Sequence, residues 1–535
     1  MPQPVFASDA HSSPVPVLAK GPTGAAANSV PEDWFVRFGF GPEETPRFPT
    51  ILKGFEHFVS LQPDAIAVEW EGDTMTYAAL DAAAARLAYR MEAAGIGHGD
   101  AVGLYLRRSI PMVVGILACM KLGAYYIPQH VGVATDQALR HISTVTGARL
   151  VLTLEEMVEK IPVVTGQKVM VLEHQLCALT APEYRKPSPL QPEDTCMVLF
   201  TSGTTGVPNG VQVTHRNLCN ILQIAPGDMG MKPGIRVGQI LSIAFDMAAW
   251  ETLGALTNGA TLVIRGRDIQ ATASSVDVLI ATPSILGSLD ADACRQVKVA
   301  AVAGEPCPRP LADKWAGFCD FYNACGPTET TIINTAMLHR PEKDQLTIGK
   351  PTPNNTVYIL DDQLKPVPFG ARGVMWAGGD CVTAGYLENP TLNAERYKPD
   401  PFRPGHLMFN TRDLGAWTET GELLHFGRVD DLVKIRGFRV ELDGVSRALE
   451  ATKDCAQAVT LKYDNQTLVS FVRPGHVCPV EARGHVERAL PYYCCPRIVL
   501  PMDVLPKTAR GKLDKRQLLD MAAEALANAP LEAAE

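Results

Sequence analysis

The thirteen cysteines of this chain include no C-x-x-C pair, which argues against the common structural-zinc and dithiol redox arrangements. No apolar run approaches the ~20 residues that a membrane-spanning helix needs. Basic side chains form no blocks, and the formal net charge is −9, so a general nucleic-acid surface is not expected. Residues 1–31 lack the charged-then-apolar order of a secretory leader and are rich in Pro, Ala and Ser. They read as a disordered arm. An odd, dispersed set of cysteines in a chain this large fits reduced thiols and a cytoplasmic setting.

What is present is an ordinary globular composition, 46% hydrophobic and 20% charged over 535 residues, enough for several domain-sized cores. Residues 65–70 and 101–106 read as strands. Between them 77–91 carries Leu80, Ala83, Ala84, Leu87 and Met91 on one helical face, with Thr76 as N-cap. A proline-opened apolar helix over 111–121 and a strand over 125–128 follow. Strand alternating with helix is the signature of βαβ layers. It resumes with a helix near Asn217, one from Trp250, and strands over 260–264, 276–280 and 297–302, read as parallel and buried. Beyond Thr347, proline and glycine become frequent and strands lack intervening helices, which predicts a small β unit. A final run of about one hundred residues is itself domain-sized. The alanine-rich stretch after Leu518 reads as helix or linker.

The stretch 199–210 stands out. An apolar strand runs into Thr201, Ser202, Thr204 and Thr205, interleaved with Gly203, Gly206 and Gly210. Glycines let backbone N–H groups approach an anion, and hydroxyls add donors for phosphate oxygens. A Walker loop enters a helix directly. Here 211–213 alternates like a strand, and Thr214 is placed to cap the next helix. The pattern is a strand–loop–strand phosphate grip, against the bland alternative of a surface turn. Further polar clusters follow predicted strands: Gly304-Glu-Pro306, Asn323-Ala-Cys-Gly-Pro-Thr-Glu329 and Thr411-Arg-Asp413. In open α/β sheets ligands gather at such strand ends.

These clusters, in order with Gly427-Arg-Val-Asp430, Val433-Lys-Ile-Arg-Gly437 and Pro506-Lys-Thr-Ala-Arg-Gly-Lys512, resemble the motifs of the adenylate-forming superfamily over residues 50–515. The chain is most similar to its nonribosomal peptide synthetase adenylation-domain branch. The resemblance implies an α/β fold: a large N-terminal domain of mixed βαβ layers plus a β subdomain (32–429), a small mobile α+β C-terminal domain (430–520) and a tail (521–535). It implies ATP and Mg²⁺ as cofactors and two half-reactions. A carboxylate displaces pyrophosphate from ATP to give an acyl-adenylate, and a thiol then displaces AMP.

By that resemblance Thr201, Ser202, Gly203, Thr204, Thr205 and Gly206 hold the β- and γ-phosphates, and Thr328 touches the α-phosphate. Glu329 places Mg²⁺. Asn323 bonds the adenine edge, with Gly304, Glu305 and Pro306 along its face and Ala324, Cys325 and Gly326 beside it. Asp413 accepts from the ribose, with His425 and Arg428 near. Lys512 bridges substrate carboxylate and α-phosphate. Asp430 is the hinge that exchanges Lys512 for the Lys434 face in the thiol step. Phe245 and Asp246 open the substrate pocket, Asp246 holding an α-ammonium group. Met247, Trp250, Ile280 and Ala301 line it, followed by Ala303, Ala324, Ile332 and Ile333. That lining predicts an apolar or aromatic α-amino acid, passed to the phosphopantetheine arm of a carrier protein, in trans or in a longer parent chain, or to CoA. Neither nucleic acid nor membrane is expected as a partner.

The chain departs from the family pattern in five places. Asn209 replaces the loop lysine, Arg412 a glycine, Cys325 the tyrosine beside adenine and His425 a common tyrosine. The segment 128–133 lacks an Asp-Pro run. Asn209, Arg412 and Cys325 support one alternative, a degenerate nucleotide-binding domain; a second alternative is an acyl- or aryl-CoA ligase, against which Asp246 argues.

Overall fold

The computed structural model describes residues 33–131, 133–162, 164–172, 190–201, 208–429, 432–506 and 513–528. The expected arm at 1–31, the loop residues Ser202, Gly203, Thr204, Thr205 and Gly206, the hinge Asp430 and Lys512 lie outside them.

Two sheets carry the large N-terminal part. In the nine-stranded sheet the order is Lys350–Pro351, Thr335–His339, Asp320–Cys325, Val299–Val302, Val278–Ala281, Arg236–Gln239, Thr261–Ile264, Ile66–Trp70 and Asp73–Thr76. Its six inner strands, Asp320–Cys325 to Ile66–Trp70, pair in parallel, and the edges are antiparallel. Strands buried on both faces read as continuous apolar runs, and all four residues of Val278–Ala281 are buried. The six-stranded sheet has the order Lys168–Val171, Leu150–Thr153, Ala101–Tyr105, Tyr125–Gln129, Thr195–Thr201 and Asn209–Thr214. Its last pair is antiparallel, so the hydroxyl-rich loop joins a strand to a strand, as expected.

Between the sheets lie helices whose ends follow from local chemistry. Ser109 caps Ile110–Leu122 by accepting from the Met112 N–H at 3.4 Å, Pro111 sits in the first turn, and Gly123 closes the helix at φ +75°. Every residue of this helix is buried, which is why it is apolar all round. Thr76 caps Tyr77–Ala93, as expected, and turns Leu80, Ala84, Leu87 and Met91 into the same core. The helix expected from Trp250 begins earlier: it spans Asp246–Thr257.

The β unit is a five-stranded antiparallel sheet built on Asn355–Leu360, Gly373–Gly379 and Leu407–Trp417. Beyond it the C-terminal part forms its own hydrophobic clusters around Val440, Leu449 and Val486 and around Phe471 and Leu518. It holds the hairpin Leu432–Ile435 and Phe438–Glu441 and a three-stranded sheet. Its last helix, Lys515–Asn528, runs across the boundary expected at 520 and buries Leu518 and Ala522. Residues 521–528 therefore continue that helix instead of starting a tail. No described helix is long and apolar enough to cross a membrane.

Candidate active site

A cavity of about 870 Å³ opens where the two sheets, the β unit and the C-terminal part meet. Of the expected site residues it is lined by Thr201, Phe245, Asp246, Met247, Ala303 and Gly304. Glu305, Pro306, Asn323, Ala324, Cys325 and Gly326 continue the wall, with Thr328, Ile332, Asp413, His425, Arg428 and Lys434. Four expected pocket residues are not on its wall. Trp250 is fully buried and its indole N–H donates to the Gly227 carbonyl at 2.6 Å. Ile280, Ala301 and Ile333 are core residues of the nine-stranded sheet and its margin.

One part of the wall is built on the first turn of Asp246–Thr257. Asp246 is half-buried, facing the cavity. Its Oδ1 accepts the Met247 N–H at 2.8 Å. Burial raises its carboxyl above the ordinary aspartate value, partly offset by the Lys434 charge and by a hydrogen bond with Thr328. A carboxylate so placed is stabilised by a cation. Lys434, from the C-terminal hairpin, brings its ammonium to 3.7 Å from where a Cβ on Gly304 would stand. Gly304 has φ +87°, a conformation that favours glycine.

Elsewhere on the wall, Asn323 donates to the Thr347 carbonyl at 2.7 Å. Its carboxamide oxygen is thereby turned free of that bond. Gly326 is required by packing, since a Cβ there would stand 2.6 Å from the Ile333 Cα. Cys325 lies between Asn323 and Gly326 with its thiol pushed up to about 12, by burial first and then by the Asp413 charge. It is a neutral, unreactive wall at neutral pH. Asp413 is held by Arg428 at 3.1 Å and approached by His425 at 3.5 Å. Arg428 also donates to the Thr411 carbonyl at 2.8 Å. Arg412 takes φ +59°, the left-handed conformation that the family's glycine adopts without strain, and its guanidinium pairs with Glu395.

Glu329 is almost fully buried and accepts from the Tyr386 hydroxyl at 2.6 Å. A single oriented carboxylate is the donor set expected where magnesium is bound chiefly by nucleotide phosphates, and no cluster of three or more acidic, His or Cys ligands occurs among the described residues. Asn209 accepts from the Asn389 amide at 3.0 Å.

Other groups on the wall were not legible beforehand. Phe438 reaches Phe245 edge-on, ring centroids 5.1 Å apart, and stacks on Tyr493 at 4.0 Å. Arg108, His130 and Arg265 also line the cavity. The pocket expected to be apolar and uncharged is therefore mixed. The family positions gave these side chains no role: Arg108 and Arg265 come from loops outside the motifs, and His130 from the segment 128–133 that departs from the family pattern.

The chain matches the AMP-binding enzyme family over residues 55–387 and belongs to it. Adenylate-forming reductase 03009 of Coprinopsis cinerea is 44% identical over 503 residues, covering 92% of this chain and 48% of that protein. Adenylate-forming reductase 06235 of the same organism is 43% identical over 497 residues, with the same coverage. The chain thus spans about half the length of these two relatives. Nonribosomal peptide synthetase sirP of Leptosphaeria maculans is 31% identical over 476 residues, 89% of this chain and 22% of that one. In fold, the chain superposes with TM-score 0.80 and 22% identity on a holo nonribosomal peptide synthetase protein containing adenylation and PCP domains, covering 89% of this chain and 85% of that one.

Proposed function

We propose that this chain activates an α-amino acid as its aminoacyl-adenylate and passes the acyl group to a phosphopantetheine thiol of a carrier protein. The observation that carries the reading is a single cleft lined by Asp246, Asn323 and Asp413. Asp246 binds the ammonium group. Asn323 and Asp413 fix adenine and ribose, so the substrate carboxylate meets the α-phosphorus between them. Phosphoryl-type transfer needs positioning and charge neutralisation more than covalent help. Glu329 would hold Mg²⁺, which neutralises phosphate charge. Lys512 is assigned the charge building on the carboxylate and α-phosphate, Asp430 the hinge, and the large N-terminal part and the C-terminal part, whose last helix ends at Asn528, the two working domains.

The test is amino-acid-dependent ATP–pyrophosphate exchange. Asp246→Asn is expected to lower kcat/KM for amino acids at least tenfold, about the 1.5–3 kcal/mol of a charged hydrogen bond, while the deaminated acids lose less. Equal loss for both classes would remove the ammonium assignment. Lys512→Ala should abolish exchange and leave ATP binding intact. The names of the two Coprinopsis relatives support a second reading of the later step, in which the activated acid feeds a reduction instead of peptide synthesis. Product analysis with the full parent chain separates the two.

A further inference from the structure

Two guanidiniums and an imidazole, Arg108, Arg265 and His130, line one cleft, and none was given a role above. Arg108 follows the strand Ala101–Tyr105, His130 follows Tyr125–Gln129, and Arg265 follows Thr261–Ile264. Each stands at the carboxyl end of a parallel strand, two in the smaller sheet and one in the larger. The sheets thus bring them together across the cleft, and all three line the cavity. Arg108 donates to the Leu241 carbonyl at 3.2 Å and Arg265 to the Ile240 carbonyl at 3.4 Å. Those carbonyls begin the segment that leads into Phe245 and Asp246.

The cluster is short of negative charge. The carboxylate that faces it is Glu251, 0% exposed, and its oxygens are already engaged. They accept from the Ile240 N–H at 2.9 Å, the Leu241 N–H at 3.2 Å and the Gln239 amide at 3.2 Å. Among the described residues neither guanidinium has an ion pair with a carboxylate. The Arg265 Nε and His130 Nδ1 are buried without a hydrogen-bond partner. Burial pushes Glu251 up to about 8, so at neutral pH it supplies only part of a charge. Burial, then the Arg265 charge, lowers Arg108 to about 10, and burial, then the Arg108 charge, lowers His130. Arg108 and Arg265 are part-buried, and guanidiniums that repel one another at such a site are relieved when an anion joins them. Glu251 offsets part of the charge of Arg108 and Arg265, and anchoring two backbone carbonyls needs neutral donors only, so one carboxylate is left facing two guanidiniums.

We propose that Arg108, Arg265 and His130 form an oxyanion subsite that takes a carboxylate at the far end of the substrate, which makes the preferred substrate a diacid. The proposal rests on the adenylation reading. Planar guanidinium forks suit a carboxylate. They would also suit pyrophosphate leaving ATP, and the test separates the two.

The experiment is ATP–pyrophosphate exchange on the full chain with paired acids, Glu against Gln and glutarate against valerate, in wild type, Arg265→Met and Arg265→Lys. Wild type is expected to prefer the acidic member at least tenfold in kcat/KM. Arg265→Met should bring that ratio near one, with Arg265→Lys between. Preference of wild type for the neutral member, or an unchanged ratio in Arg265→Met, overturns the proposal. A KM for pyrophosphate raised equally with every acid, at constant ratio, gives the subsite to pyrophosphate and also overturns it. If no acid supports exchange, the adenylation reading fails and the subsite is judged by binding. A rise in Tm with glutarate but not valerate, lost in Arg265→Met, then supports the subsite. No such rise overturns it.

Discussion

Single residues in this chain show where the family pattern was altered and what the alteration costs. Arg412 holds a left-handed backbone at φ +59° where glycine is unstrained. Arg412→Gly is expected to raise stability by about 1 kcal/mol, the cost of that conformation for a residue with a Cβ. The lost pair with Glu395 is half exposed and offsets little of it. Denaturant unfolding measures this, and a fall in midpoint would mean that the pair outweighs the strain. Cys325 forgoes ring stacking against adenine. Cys325→Tyr should tighten ATP binding by threefold to tenfold, the 0.5–1.5 kcal/mol of an aromatic pair; calorimetric titration with ATP checks it.

Elements carry the next level of the argument. The helix His215–Leu222 opens with a reciprocal cap: Thr214 accepts the Asn217 N–H at 3.2 Å, and the Asn217 side chain accepts the Thr214 N–H at 2.9 Å. The same Asn217 amide donates to the carbonyls of Asp380 and Val382 in the segment after the β unit's strand Gly373–Gly379. Asn217→Ala therefore breaks a cap and strands two buried acceptors, at a cost of about 2–3 kcal/mol, read as a lower unfolding midpoint. Thr214 as a cap was legible from its place before the helix, as was Thr76, because a hydroxyl at that spot has one chemical use. The alternation of 65–128 was legible because buried parallel strands carry unbroken apolar runs. The start of Asp246–Thr257 was less so, since its flanking Phe245 offers no capping side chain. The Arg108, His130 and Arg265 wall was not legible at all. Each is one polar residue in a loop, and only the order of strands in two sheets brings them to one cavity.

At the scale of the whole molecule, His215 marks the join between the N-terminal helix Ile51–Leu61 and the six-stranded sheet. It is fully buried, its Nδ1 accepts the Ile51 N–H at 3.4 Å, and its own backbone N–H donates to the Asp194 carbonyl at 3.1 Å. Burial lowers its pKa to about 4, below the ~6.5 of an unfolded chain. The unfolded state therefore binds the extra proton between those values. Stability from this group is complete above about pH 6.5 and is lost as pH falls toward 4, by up to about 3 kcal/mol. His215→Gln should flatten that limb of the stability–pH curve; an unchanged slope would assign the acid sensitivity elsewhere.

The edge-on meeting of Phe245 and Phe438 has a thermodynamic corollary. Phe245 precedes the residue assigned to the substrate's amine, and Phe438 belongs to the C-terminal hairpin, so one aromatic contact is shared between ligand grip and the seating of the smaller part. Linkage makes such sharing mutual: any factor by which seating alters affinity for the acid is returned as the factor by which the acid alters seating.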